Sequence, residues 1–182
     1  LQNLGHTAVG LVTLPLEGSR QRGELEPHRI AASRAHTTLE RIRGARDVFP
    51  DASGVVAGGS SVEDGLVAGR DLLSRTPRPT AIIAQSDLLA LGVIRAAEEL
   101  GLSVPDDLSV LGFDGVRIEG AAPHELTTLV QPAVDKGRAA GGAVIALLNG
   151  DRPEPSRFTS QLRIGTTTAP APSSAAPSSG SA

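Results

Sequence analysis

A chain of 182 residues with 17 basic and 20 acidic side chains, a formal net charge of −3 and no cysteine is long enough for one full hydrophobic core, or for a domain and part of a second. It offers no disulfide framework, no thiolate metal site and no basic footprint for nucleic acid, and its lack of cysteine fits a reducing compartment. No run approaches eighteen apolar residues, and even LGVIRAAEELG at 91–101 is broken by Arg95, Glu98 and Glu99, which excludes a membrane-spanning helix.

Residues 1–5, LQNLG, read as the last turn of a helix closed by Gly5, which predicts that sequence once preceded them. The opening stretch has no basic leader or small-residue cleavage pattern, so no export signal is read in it. TAVGLVTL (7–14) is a buried strand, and residues 16–27, charged and punctuated by Gly18, Gly23 and Pro27, read as a surface loop. HRIAASRAHTTLERIRGARDVF (28–49) repeats Ile30, Leu39, Ile42 and Ala45 in a helical pattern. SGVVAG (53–58) is a second strand. SVEDGLVAGRDLLSR (61–75) is a helix with Ser61 as N-cap and Asp64 at the capping-box position, ended by Pro77 and Pro79.

TAIIAQ (80–85) is a third strand, followed directly by SDLLALGVIRAAEELG, where Ser86 caps a helix whose face is Leu89, Val93, Ala97 and Leu100. LSVLGF (108–113) is a fourth strand, and LTTLVQP (126–132) a short fifth ending at Gln131. Pro132 starts a helix through Leu148 with the face Val134, Gly137, Gly141, Val144 and Leu148, in which the two glycines predict close packing on another element. SRFTSQLRIGTTT (156–168) alternates like an edge strand, and from Ala169 the chain holds only Ala, Pro, Ser and Gly, which predicts a flexible tail over 169–182.

Short strands apolar on both faces and alternating with helices define an α/β fold, a parallel sheet covered by helices on each side, three layers in all. In such sheets ligands bind beyond the carboxyl ends of the strands. Asp114, at the end of the apolar run SVLGFDG, therefore stands on the functional rim, beside Gln85, Ser86 and Asp87 at the end of the preceding strand. An aspartate there accepts hydrogen bonds from vicinal hydroxyls or an amine, though aspartate also serves as a turn or cap residue. Arg41 could hold hydroxyls in its fork or simply be solvated; Ser86 could face a ligand or be a plain N-cap. Phe113 could stack on a sugar or be a core side chain at a strand end.

Other chemistries lack their signatures. No G-x-G-x-x-G or G-x-x-x-x-G-K-[ST] loop appears, the histidines at 6, 28, 36 and 124 have no H-E-x-x-H spacing, and no serine sits in a G-x-S-x-G elbow. No catalytic residue, metal site or cofactor is read.

LGHTAVGLV, TAIIAQSDLLALGVIRAAEELGLSVPDDLSVLGFDG and LTTLVQP followed by KGRAAGGAVIALLNG together resemble the ligand-binding domain of the LacI/GalR family of bacterial transcription repressors, itself similar to periplasmic sugar-binding proteins. The resemblance runs from residue 1 to about 168 and implies a type I periplasmic-binding-protein-like fold, mostly the carboxy-terminal lobe. It implies a cytoplasmic, non-catalytic sensor: a small effector, a sugar or related polyol, sits between two lobes and alters how a homodimer presents helix-turn-helix domains, absent from this chain, to DNA. By that likeness Arg41, Ser86, Asp87, Phe113, Asp114 and Gln131 are the effector-binding candidates. Residues 1–131 would be the carboxy-terminal lobe, 132–150 a helix of the incomplete other lobe with its apolar face uncovered, and 151–168 a returning strand. An uncovered face predicts self-association or loss of order there. The chain departs from the family at Ala45, where an aromatic is common, and at Gly115, where a second acid or Asn is common. The other readings weighed are a periplasmic-type solute-binding protein, which shares the fold, and a doubly wound enzyme, for which the chain shows no base and nucleophile.

Overall fold

A computed structural model describes residues 1–16, 18, 20–118 and 123–172. After a 3-10 turn at Gln2–Leu4 the chain forms β1 (Val9–Thr13), β2 (Gly23–Glu24), α1 (Pro27–Ala32), α2 (His36–Val48), β3 (Ser53–Val56), α3 (Val62–Leu73), β4 (Ala81–Ala84), α4 (Asp87–Glu99), β5 (Ser109–Asp114), β6 (Thr127–Val130), α5 (Ala133–Leu148) and β7 (Gln161–Arg163). The strands make one sheet in the order β2-β3-β1-β4-β5-β6-β7. β3, β1, β4, β5 and β6 are parallel, and the short edge strands β2 and β7 run antiparallel to their neighbours.

The expected three layers are present. On one face α3 and α4 cover Val12, Val55, Ile82 and Val110 with Leu72, Leu89, Val93 and Ile94. On the other, α2 lays Ile42 and Leu39 on Leu11, Leu25 and Val56. Burial from both sides explains why β1 is apolar and buried at nearly every position. The capping box at the start of α3 forms as its spacing predicts: Ser61 Oγ accepts from the Asp64 amide at 3.1 Å, and Asp64 Oδ2 accepts from the Ser61 amide at 3.0 Å. The Ser61 hydroxyl also donates to Asp64 Oδ2 at 2.6 Å, and that bond first, with the one from the Ser61 amide, holds the Asp64 carboxyl below its usual range.

Four sequence expectations are corrected. The helix over 28–49 is two helices, because Ser33 Oγ donates to Leu16 O at 2.6 Å and accepts from the Ala35 amide at 3.1 Å, replacing helical bonds at residues 33–35. The loop over 16–27 contains β2, paired with β3. The strand over 156–168 shrinks to β7, because Thr166 and Thr167 bond instead to Glu125, Thr127 and Val110. The glycines of α5 pack on nothing: a Cβ at Gly137 or Gly141 would meet no atom within 4 Å.

α5 is a formed helix of 16 residues but buries no side chain. Val134 is 65% exposed and Leu148 81%, so its apolar face is uncovered by the described residues.

The tail expected to be loose from Ala169 is tied down at its start. Ala169 N donates to Ser109 Oγ at 3.0 Å, Ala169 O lies 3.0 Å from His6 Nε2, and Ala171 N donates to Leu4 O at 2.8 Å. Residues 173–182 lie outside the described residues. The buried His6 ring also lies 2.9 Å from Thr80 Oγ1, so it joins β4's entry to the returning segment. His6→Leu fills similar volume but strips both bonds, and is expected to cost about 1–3 kcal/mol. Urea unfolding measures that loss, and faster hydrogen exchange at the Ala171 amide would place it at this junction.

Candidate functional site

The parallel strands bring their carboxyl ends to one rim, and four of the six sequence candidates meet there. Phe113 and Asp114 end β5, Gln131 follows β6, and Arg41 reaches over from α2. The Arg41 guanidinium carbon lies 3.8 Å above the Phe113 ring centroid, its Nη2 is 3.8 Å from Asp114 Oδ1, and its Nη1 donates to Gln85 O. Gln131 Nε2 donates to Asp114 Oδ1 at 2.6 Å. Arg41 and Asp114 keep 21% and 33% of their side chains exposed, enough for a small molecule to touch both.

Asp114 is the one non-glycine residue with positive φ among the described residues, at 119°. Such a conformation costs on the order of 1–3 kcal/mol and persists only where its surroundings enforce it. Here the enforcement comes from both sides: Asp114 O accepts from the Gln131 amide at 3.1 Å, and Gly115 follows at φ 78°. A Cβ at Gly115 would stand 2.7 Å from Val130 Cα. That contact accounts for glycine at 115.

Ser86 and Asp87, the other two candidates, do different work. Ser86 is buried and its Oγ accepts from the Leu89 amide at 3.2 Å, the plain N-cap of α4. Asp87 is fully buried; its Oδ1 accepts from Thr128 Oγ1 at 2.5 Å and its Oδ2 from the Val116 amide at 2.7 Å. It braces the turn after Asp114 and has no face toward the rim. Gly112 makes room for it, because a Cβ there would collide with Asp87 Oδ1. Burial pushes the Asp87 carboxyl up, against the pull of its hydrogen bonds from Thr128, Val116 and Gly115. One face of the Phe113 ring is covered by the Arg41 guanidinium.

Two residues, one at the rim and one buried beneath it, escaped the sequence reading. Lys136, in the first turn of α5, donates from Nζ to Gln131 Oε1 at 2.7 Å. It is the only lysine in the chain, which was the available signal. Thr128, from LTT, is the partner of Asp87.

Electrostatically the rim pairs one carboxylate with two cations. Burial lowers the Arg41 pKa while the Asp114 charge opposes that effect, and arginine stays protonated regardless. Asp114 Oδ2 makes no hydrogen bond among the described residues, so the pair presents an acceptor and guanidinium donors side by side. Hydroxyl groups, each both donor and acceptor, match that pattern. A cavity of about 490 Å³ lies elsewhere, among Leu91, Ile94, Val116, Leu126 and Ile164, and neither Arg41 nor Asp114 lines it.

A sheet of this order with polar groups gathered at its carboxyl rim defines a ligand-binding domain of the doubly wound type. The chain belongs to the periplasmic binding protein-like domain family, whose model matches residues 1–168, and it is homologous to the LacI/GalR regulators of that family. It is 30% identical over 179 residues to the HTH-type transcriptional regulator IpsA of Corynebacterium glutamicum, covering 93% of this chain and 49% of that protein. The crystal structure of a LacI family transcriptional regulator from Corynebacterium glutamicum superposes with a TM-score of 0.82 at 28% identity, covering 93% of this chain and 52% of that one. A LacI family regulator from Enterococcus faecium with bound ribose gives a TM-score of 0.69 at 26% identity, covering 93% and 60%. The chain spans about half the length of the curated relatives it matches. No helix among the described residues is long and apolar enough to cross a membrane.

Proposed function

We propose that this chain is the effector-sensing part of a LacI/GalR-type transcriptional regulator, binding a sugar or related polyol reversibly and without catalysis. The juxtaposition of Arg41 with Asp114 at the rim carries the reading. The ribose bound by the Enterococcus faecium regulator supports the ligand class. In this reading the second wall of the cleft, and helix-turn-helix domains that hold DNA in the cytoplasm, come from sequence outside these residues.

The same reading divides the chain at Gln131. Residues 1–131 form the carboxy-terminal lobe, and α5 belongs to the other lobe, which covers Val134, Val144 and Leu148. The exposure of all three here supports that division. The working form is a homodimer, for which the exposed Val116 and Ile164 beside the 490 Å³ cavity offer apolar surface.

One wall leaves a ligand partly in water, so binding to this chain alone is expected near millimolar, about 4 kcal/mol. Calorimetric titration with D-ribose and a panel of pentoses and hexoses tests this. Arg41→Ala and Asp114→Asn should each weaken the best binder by about 10- to 100-fold, the worth of a hydrogen bond to a charged group. No saturable heat with any sugar, or unchanged affinity in both variants, would sink the reading.

A further inference from the structure

Gln85 has every polar group engaged, and the partners lie on β1 and its exit and on α2. Its amide donates to Val12 O at 2.9 Å, and its carbonyl accepts Arg41 Nη1. Its side chain, buried in a residue only 4% exposed, accepts from the Leu14 amide at 3.2 Å through Oε1 and donates to Thr38 O at 3.1 Å through Nε2. An N–H donor at one end and a carbonyl at the other fix the amide's orientation, since the flipped amide would face like with like at both ends. Thr38 lies three residues before Arg41 on α2, one turn away on the same side of the helix. One side chain therefore ties the exit of β1 to the turn of α2 that carries Arg41, while the same residue's carbonyl receives the guanidinium.

We infer that Gln85 is a positioning residue: it sets where Arg41 stands over Phe113 and beside Asp114, and so the geometry of the effector rim. This deepens the proposed function and rests on it for the word effector; the mechanical claim stands on the hydrogen bonds alone. Neutral Gln is required because one position must accept and the other must donate. Glutamate has the same length and, when ionised, sets an oxygen against Thr38 O. When protonated it regains one donor and one acceptor and fits as Gln does.

The test is the side-chain NMR signal of Arg41, which the Phe113 ring 3.8 Å beneath it shields. In Gln85→Glu at alkaline pH, the Arg41 signal is expected to move toward that of the exposed Arg43, and to return to the wild-type position when acid protonates the new carboxyl. The charged groups facing this locus are Arg41 from α2 and, across it, Asp114 from β5; the wild-type protein titrated in parallel subtracts their effect. Gln85→Met, of similar length but unable to make either bond, should show the displaced signal at all pH values. If Gln85→Met does not fold, the acid return in Gln85→Glu remains as the readout.

An Arg41 signal unmoved in Gln85→Glu at alkaline pH, or moved without recovery in acid, overturns the inference. D-ribose titration of Arg41→Ala separates the two ideas. Unchanged ribose affinity there with a displaced Arg41 signal in the Gln85 variants removes the effector reading and leaves the positioning role.

Discussion

Asp87→Ala is expected to lower the unfolding free energy by about 3–5 kcal/mol at neutral pH, the range for breaking a buried polar network. The substitution leaves the Val116 amide and the Thr128 hydroxyl without their acceptor inside the protein. Each such orphan costs about 1–3 kcal/mol, and relief from burying a charge returns part of it. Asp87→Asn is expected to cost less than about 1.5 kcal/mol, because one amide oxygen accepts from Val116 while the NH2 group donates to Thr128 Oγ1. The pH dependence separates the two contributions. Burial raises the folded pKa of Asp87 above its ordinary 3.8, so between those two values the folded state binds more protons than the unfolded one. Stability attributable to this group therefore rises as pH falls through the folded pKa toward 3.8 and is lowest above it. Urea unfolding at several pH values should show that slope in wild type and its absence in Asp87→Asn. An alanine variant within 1 kcal/mol of wild type, roughly the worth of one ordinary hydrogen bond, would mean that water takes over the brace.

Gly92→Ala is the second large effect, about 3 kcal/mol or more, despite a gain of up to about 1 kcal/mol in helix propensity. At Gly92 the backbones of α4 and α3 touch: a Cβ would stand 2.6 Å from Gly65 C and closer still to Val62 O and Leu66 N. No side-chain rotation relieves a clash with backbone, so the two helices must separate and open the core between them. Gly65 and Gly69 repeat the pattern from the other helix, with a Cβ at Gly65 falling 2.7 Å from Leu89 Cα. The contrast is Gly137→Ala in α5, where nothing lies within 4 Å and the same change should stabilise by about 0.5–1 kcal/mol. Thermal or urea unfolding of the two variants should move in opposite directions. Equal shifts of one sign would contradict the backbone contact at Gly92.

The apolar periodicity of the strands, the capping box at Ser61 and Asp64 and the carboxyl-end rule were legible in the residues, because each depends on neighbours a few positions away or on a general property of parallel sheets. They were enough to name the three-layer fold and to put Asp114 on the rim, with Arg41 and Gln131 supplied by family likeness. The roles of neighbouring residues were not legible. Ser86 and Asp87 are adjacent in sequence to the same strand end, yet one caps a helix and the other is sealed behind Gly112, a difference set by β5 and β6 packing against α4. The glycine spacing in α5 matched a packing pattern that Gly65, Gly69 and Gly92 fulfil instead, since spacing marks where two helices could approach and only the placement of the second helix makes the contact. Gln85 shows the same limit: its four bonds join residues 12, 14, 38 and 41. A local pattern holds the turn-by-turn physics of each element, while long-range hydrogen bonds and close backbone contacts exist only once the elements are assembled.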